Sequence, residues 1–218
     1  MGSAQPCPTQ FGASGLALAL AVILLLPMAH AQVIEFETGG LKYKALTRNG
    51  VTVMFAPLPN HIHDFTILQV SISNGSPIAW AIRPEDFSFE RTDGERIQAS
   101  SAEAVVHLLA TKGSRDDVAK LMTAYEAALY GMPQIHSTNG YEKRRLNAMA
   151  DGGSVKIKAA AAASAIVLAP IRLKIGQSTD GAVFYATQGK PLGSGKLVVN
   201  TAGETFEFPV EENHAIKP

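Results

Sequence analysis

Apolar and polar residues alternate with a period of two from about Val33 to Gln98, follow a helical period from about Ser101 to Leu168, and return to alternation from Ile171 to Val210. The first zone contains VIEFE, KYKALTR, VTVMFAPL, FTILQVSIS, PIAWAI and DFSFERTDGERIQA. These are short segments rich in Val, Ile, Phe and Thr, punctuated by GG, NG, NGSP and DG, which is the grammar of strands joined by tight turns. In FTILQVSIS, Leu68, Val70 and Ile72 share one face, and Gln69, Ser71 and Ser73 share the other, as in a half-buried strand. Phe87 and Phe89 likewise oppose Ser88 and Glu90. The stretch from Ser71 to Gly94 therefore reads as scaffold and not as a reactive loop.

In the second zone Ser114-x-x-Asp117 is a capping box, after which Val118, Leu121, Met122, Tyr125 and Leu129 fall on one helical stripe. Asn139 with Glu142 marks another helix start, ahead of YEKRRLNAMA and the Gly152-Gly153 break. A third helix is predicted from Ser154 through the alanine run to Pro170, as a close-packed interior helix. The third zone supplies IRLKI, GAVFYAT, KLVVNT and ETFEFPV, with GQSTDG and GKPLGSG between them; the latter is expected to be a hairpin connection. Strands, then helices, then strands predict a single mainly β domain, 32–218. Its strands are expected within 33–98 and 171–210, and a helical insertion of about three helices within 101–168. Seven or more short strands with regular turn signals fit an immunoglobulin-like antiparallel β-sandwich.

The N-terminus changes the picture of location. Gly15 to Met28 is an apolar run followed at once by Ala29-His30-Ala31, an h-region with a small-residue cleavage site. It is shorter than the roughly 20 residues that span a bilayer. Residues 1–31 are therefore expected to be a signal peptide cleaved after Ala31, although 1–14 carry no Lys or Arg. The protein is expected to be exported, periplasmic or extracellular, with no stable membrane span after cleavage. The single cysteine, Cys7, precedes the run, so 32–218 cannot hold a disulfide. The 19 basic and 19 acidic residues all follow Ala31 and cancel, which argues against nucleic acid as a partner.

The combination NGSPIAWAIRPEDFSFERTDG, GQSTDGAVFYA and GETFEFPV, with AYEAALYGMPQIHSTNGYEKRRLNAMADGG between, resembles a family of uncharacterised secreted bacterial proteins with an immunoglobulin-like β-sandwich and a helical insertion. The resemblance spans Gln32 to about Val210. It implies the fold and an exported location, and implies no activity.

Candidate chemistry is sparse. His61-Ile62-His63-Asp64 is a candidate metal site: in an extended segment the two imidazoles project to the same side with a carboxylate adjacent. The densest functional cluster is His136, Asn139, Tyr141, Lys143, Arg144 and Arg145, a candidate binding surface for an anion or a partner protein at a helix start. Its plainer reading is a capped helix with a solvated face. No serine elbow is present, since Gly176-Gln177-Ser178-Thr179-Asp180 fails at its last position; GKPLGSGK has neither the spacing nor the Ser or Thr of a phosphate loop. No cofactor is expected. The reading that results is a non-enzymatic interaction or structural module of the bacterial envelope with a protein partner. The alternative is an envelope metal-binding protein using His61 and His63.

Overall fold

The computed structural model describes residues 1–2, 32–59, 61–130 and 153–211. The chain divides into two compact units, Met1–His30 and Ala31–Pro218. Of the first only residues 1 and 2 are described, so the predicted signal segment falls outside the described residues. The 136–145 cluster does too.

The second unit is mainly β. Its strands are β1 Ile34–Thr38, β2 Leu41–Arg48, β3 Val51–Pro57, β4 Phe65–Asn74, β5 Trp80–Ile82, β6 Phe87–Arg91, β7 Arg96–Gln98, β8 Ile171–Leu173, β9 Ser178–Ala186, β10 Gly195–Thr201 and β11 Glu204–Val210. Between β7 and β8 lie α1 Ala102–Lys112, α2 Arg115–Tyr130 and α3 Val155–Ile166. Three hairpins close through two-residue turns whose central residues both have positive φ: Gly39 and Gly40, Asn49 and Gly50, Ala202 and Gly203. This is the turn that matches strand twist, and it explains the GG and NG punctuation.

All strand pairs are antiparallel, in a five-stranded sheet ordered β1-β2-β3-β4-β9, a four-stranded sheet ordered β11-β10-β6-β7, and a β5-β8 pair. One face of the larger sheet, with Val53, Phe55, Leu68, Val70, Val183 and Tyr185, shares a core with Phe87, Phe89, Leu197, Val199, Phe206 and Phe208 of the smaller. Phe55 meets Phe208 edge to face at 5.1 Å, and Trp80 meets Phe206 at 6.3 Å. The first and last thirds of the chain therefore do close over one interior. The opposite face, with Ile67, Ala182 and Phe184, shares a second core with Val105, Leu109, Leu121 and the alanines of α3. Small side chains on α3 allow close approach: a Cβ on Gly113, at the α1–α2 corner, would stand 2.5 Å from Ala159 Cβ.

Burial on both faces corrects the half-buried reading of FTILQVSIS. Gln69 and Ser71 are as buried as Leu68 and Val70, because the insertion covers the face that carries them. GQSTDG is corrected too. Ser178, Thr179 and Asp180 belong to β9, held in register by Ser73, Ile72 and Ser71 of β4, so tertiary pairing overrides a loop-like composition. The 187–194 connection is no hairpin, since β9 pairs with β4 whereas β10 pairs with β6 and β11; it crosses between sheets. The third helix ends at Ile166, short of Pro170, because the next residues are drawn onto β9.

That last contact shows how the insertion is attached. Its outgoing stem pairs Ala99 with Tyr185, and Ser100 N donates to Phe184 O at 2.7 Å. Its returning stem pairs Val167 with Ala182, and Leu168 N donates to Ala182 O at 2.9 Å. Both stems thus sit on the outer edge of β9. A Cβ on Gly181 would lie 2.6 Å from Leu168 Cα and 2.9 Å from its N, and backbone cannot yield as a side-chain tip does. Gly181→Ala is expected to destabilise the fold by about 2–4 kcal/mol, read as a lower urea midpoint. A midpoint within error of the parent would show that the returning stem is not pressed against β9.

Candidate functional site

The His61-Ile62-His63-Asp64 segment does not run extended, which corrects the premise of the candidate metal site. Ile62 N donates to Phe65 O at 3.2 Å, Phe65 N donates to Ile62 O at 2.9 Å, and His63 takes φ of 49°. The chain therefore reverses at His63-Asp64, with Ile62 anchored in the helix-side core. The two imidazoles acquire different partners. His61 Nδ1 lies 3.2 Å from Thr66 Oγ1, which donates to Lys190 O. His63 Nε2 lies 2.9 Å from Asp117 Oδ2. The Asp64 carbonyl accepts from Thr187 N at 2.8 Å. Among the described residues no three His, Cys, Asp or Glu side chains converge as a metal site would need.

Asp117 is the N3 residue of α2. Its Oδ2 accepts from Ser114 N and Ser114 Oγ, both at 2.7 Å, while Asp117 N donates to Ser114 Oγ at 3.2 Å. This is the reciprocal capping box read from the sequence. His63 adds a bond that ties the β3–β4 turn to the start of α2. The order is hydroxyl, carboxylate, imidazole, so the carboxylate separates Ser114 from the His63 imidazole, and the contacts of the hydroxyl are those of a helix cap rather than of a serine–histidine pair. In a double-mutant cycle on His63→Ala and Asp117→Ala, the pair is expected to couple by about 0.5–2 kcal/mol in unfolding free energy, and Asp117→Ala alone to cost more than His63→Ala because the cap goes with it. Strict additivity would sever the turn from the helix.

Asn74 settles the role of the NGSP stretch. Its Nδ2 donates to Ile78 O at 2.8 Å and Leu173 O at 3.0 Å, and its Oδ1 accepts from Ser76 N at 3.0 Å and Ser76 Oγ at 2.6 Å. Its backbone N and O bond Gln177 and Gly176. One buried asparagine, through its side chain and its backbone, thus joins the end of β4, the approach to β5, the end of β8 and the turn before β9. That is scaffold.

The helix-side face of the large sheet holds an unexpected polar patch. Gln69 is in register with Ala56 and Ala182, and Ser71 with Met54 and Asp180; Gln69, Ser71 and Asp180 are all buried. Neither amide atom of Gln69 has a hydrogen-bond partner among the described residues. Tyr43 on the same face has its phenol pushed up to about 12, first by burial and then by the Asp180 carboxylate. A phenol held neutral in the folded state contributes stability that is intact below the unfolded value near 10 and is lost as pH rises towards 12. Unfolding free energy is therefore expected to decline between those two pH values, and less steeply in Tyr43→Phe. Equal slopes for parent and variant would refute the assignment to Tyr43.

The remaining feature is an edge. β1 pairs with β2 on one side, and among the described strands none lies on the other. Its large apolar side chains stay in solvent, Ile34 63% and Phe36 37% exposed, with the Phe36 ring stacked on Tyr43 at 5.5 Å. On the other face of the strand, Glu35 holds Lys44 Nζ at 2.6 Å, and Lys44 also donates to Pro209 O at 2.7 Å. A groove of about 540 Å³ runs here, lined by Glu35, Glu37, Lys42, Lys44, Pro209 and Glu211 among others. The alternation of VIEFE was readable in the sequence. Its position at the rim of a sheet was not, because strand order leaves no local signature.

Comparison with known proteins gives little to place beside this geometry. No family model matches the chain, and no curated protein matches it. Among solved structures, the crystal structure of the yjhA protein from Bacillus subtilis is similar at 13% identity, covering 77% of each chain, with a TM-score of 0.31.

Proposed function

We propose that the chain is an exported, non-enzymatic binding module of the bacterial envelope, built on an immunoglobulin-like sandwich, that takes another envelope protein as its partner. The observation that carries this is the β1 edge, where the apolar side chains of Ile34 and Phe36 are exposed on a strand whose outer side no other described strand pairs. Polar residues with chemical potential elsewhere are engaged in scaffold: His63 and Ser114 on Asp117, and Asn74 in four side-chain hydrogen bonds to Ser76, Ile78 and Leu173. Export is supported by the apolar run ahead of Ala29-His30-Ala31.

The sandwich reading draws on strand order. β3-β4-β9 facing β11-β10-β6-β7 corresponds to strands A, B and E facing G, F, C and C′ of the immunoglobulin arrangement. The insertion then replaces the connection from C′ to E, and β1 and β2 extend the first sheet beyond A. No observation favours the metal reading, since His61 and His63 are directed to separate partners.

A photo-crosslinking amino acid placed at position 36 in cells making the full chain is expected to yield a discrete adduct with a second protein. The same group at Ile175, an exposed apolar residue in a turn, is expected to yield none. Absence of an adduct at position 36, or equal adducts at both positions, would count against a binding role for this edge.

A further inference from the structure

We infer that the β1 edge recognises an extended segment whose residues alternate apolar and basic, docking as a sixth strand on the five-stranded sheet. This rests on the binding reading above and specifies the partner's chemistry. The Gly39-Gly40 turn makes Thr38 and Leu41 the closing pair of the hairpin, and in such a hairpin the closing pair is hydrogen-bonded. Antiparallel alternation then makes Phe36 and Ile34 the inward-bonding residues. The N–H and C=O of Glu35 and Glu37 are left pointing outward, a ladder ready for a strand.

The side chains say which strand. β1 presents Ile34 and Phe36 on one face and Glu35 and Glu37 on the other. Its inner neighbour β2 meets this with Ala45 opposite Ile34, Lys44 opposite Glu35, Tyr43 opposite Phe36 and Lys42 opposite Glu37. An outer neighbour faces the same residues from the other side, so the same alternation answers both the apolar and the charged face. Glu35 keeps 65% of its side chain exposed while bound to Lys44, leaving room for a second cation. A second copy of β1 does not fit. Every register that aligns the apolar residues of two IEFET strands sets carboxylate against carboxylate, which is destabilising.

The probe is a blocked peptide with the sequence of residues 41–48, LKYKALTR, titrated into the isotope-labelled full chain and followed by backbone amide NMR. The amides of Glu35 and Glu37 are expected to shift together, and a peptide with both lysines replaced by glutamate to bind at least fivefold more weakly. In Glu35→Lys/Glu37→Lys the preference for the two peptides is expected to invert, a readout that mere loss of structure would not give. No shift at millimolar peptide, shifts that spare Glu35 and Glu37, indifference to peptide charge, or self-association of the chain through this edge would each overturn the inference. An adduct at position 36 in cells alongside any of those results would leave the binding role standing and remove only the strand-pairing account.

Discussion

The structure depends on the pairing of β4 with β9. These strands come from opposite sides of the helical insertion, yet they align from Phe65 with Ala186 to Ser73 with Ser178. Each is buried on both faces along nearly its whole length. The pair therefore serves two cores at once: Leu68, Val70, Ile72 and Val183 in the one between the sheets, Ile67, Ala182 and Phe184 in the one beneath the helices. Burying a large apolar side chain contributes roughly 1.5–3 kcal/mol, so a slip of one residue would exchange the two sets between environments of different shape. Because the partners are distant in sequence, the loop between them must close before any of this burial is gained. The insertion makes that closure compatible with a compact product. Its stems end on the outer edge of β9, so the segment that lengthens the loop also covers the edge that closure would otherwise leave open.

Local signals in the sequence were legible where local chemistry decides the outcome. Paired positive-φ residues at Gly39-Gly40 and Asn49-Gly50 require turns, Ser114 and Asp117 require a helix start, and Phe206 and Phe208 require a buried face. Reading failed where a residue's environment is supplied from far along the chain. Gln69 and Ser71 look like the wet side of a strand until α3 and its neighbours are placed over that sheet face. Ser178-Thr179-Asp180 looks like a loop until β4 is placed beside it. His61 and His63 look like a pair until Ile62 is drawn into the core and the chain must turn around it. In each case a composition signal competes with a long-range contact, and the contact, being buried, wins.

The edges of the sheets differ in a way that bears on function. In the smaller sheet β7 is only three residues long and carries Arg96, while β11 carries Glu207 and Pro209; short length, charge and proline each discourage a further strand. In the larger sheet β9 is covered by the insertion stems. β1 combines charge with exposed Ile34 and Phe36 and has five residues in register with β2. Glu35 and Glu37 guard it against copies of itself. The same carboxylates are no obstacle to a segment bearing lysine or arginine, so under the binding role proposed above the device that disfavours self-pairing would also select among partners.

This separates the molecule into parts under different constraints. The β4–β9 pair, the Asn74 hub and the Ser114–Asp117–His63 link hold the frame, and changes there act through stability. The β1–β2 hairpin is joined to the rest by β2 on β3, by Leu41 and Tyr43 in the helix-side core, by Leu46 in the core between the sheets and by Lys44 on the Pro209 carbonyl, whereas Ile34, Glu35 and Glu37 of its outer strand belong to neither core. Recognition placed on a rim can change while the frame is preserved. The frame, for its part, fixes the hairpin in one register through two glycines of positive φ, and that alone decides which carboxylates and which backbone groups face outward. The selectivity proposed for the edge would thus follow from turn geometry, set by the hairpin itself.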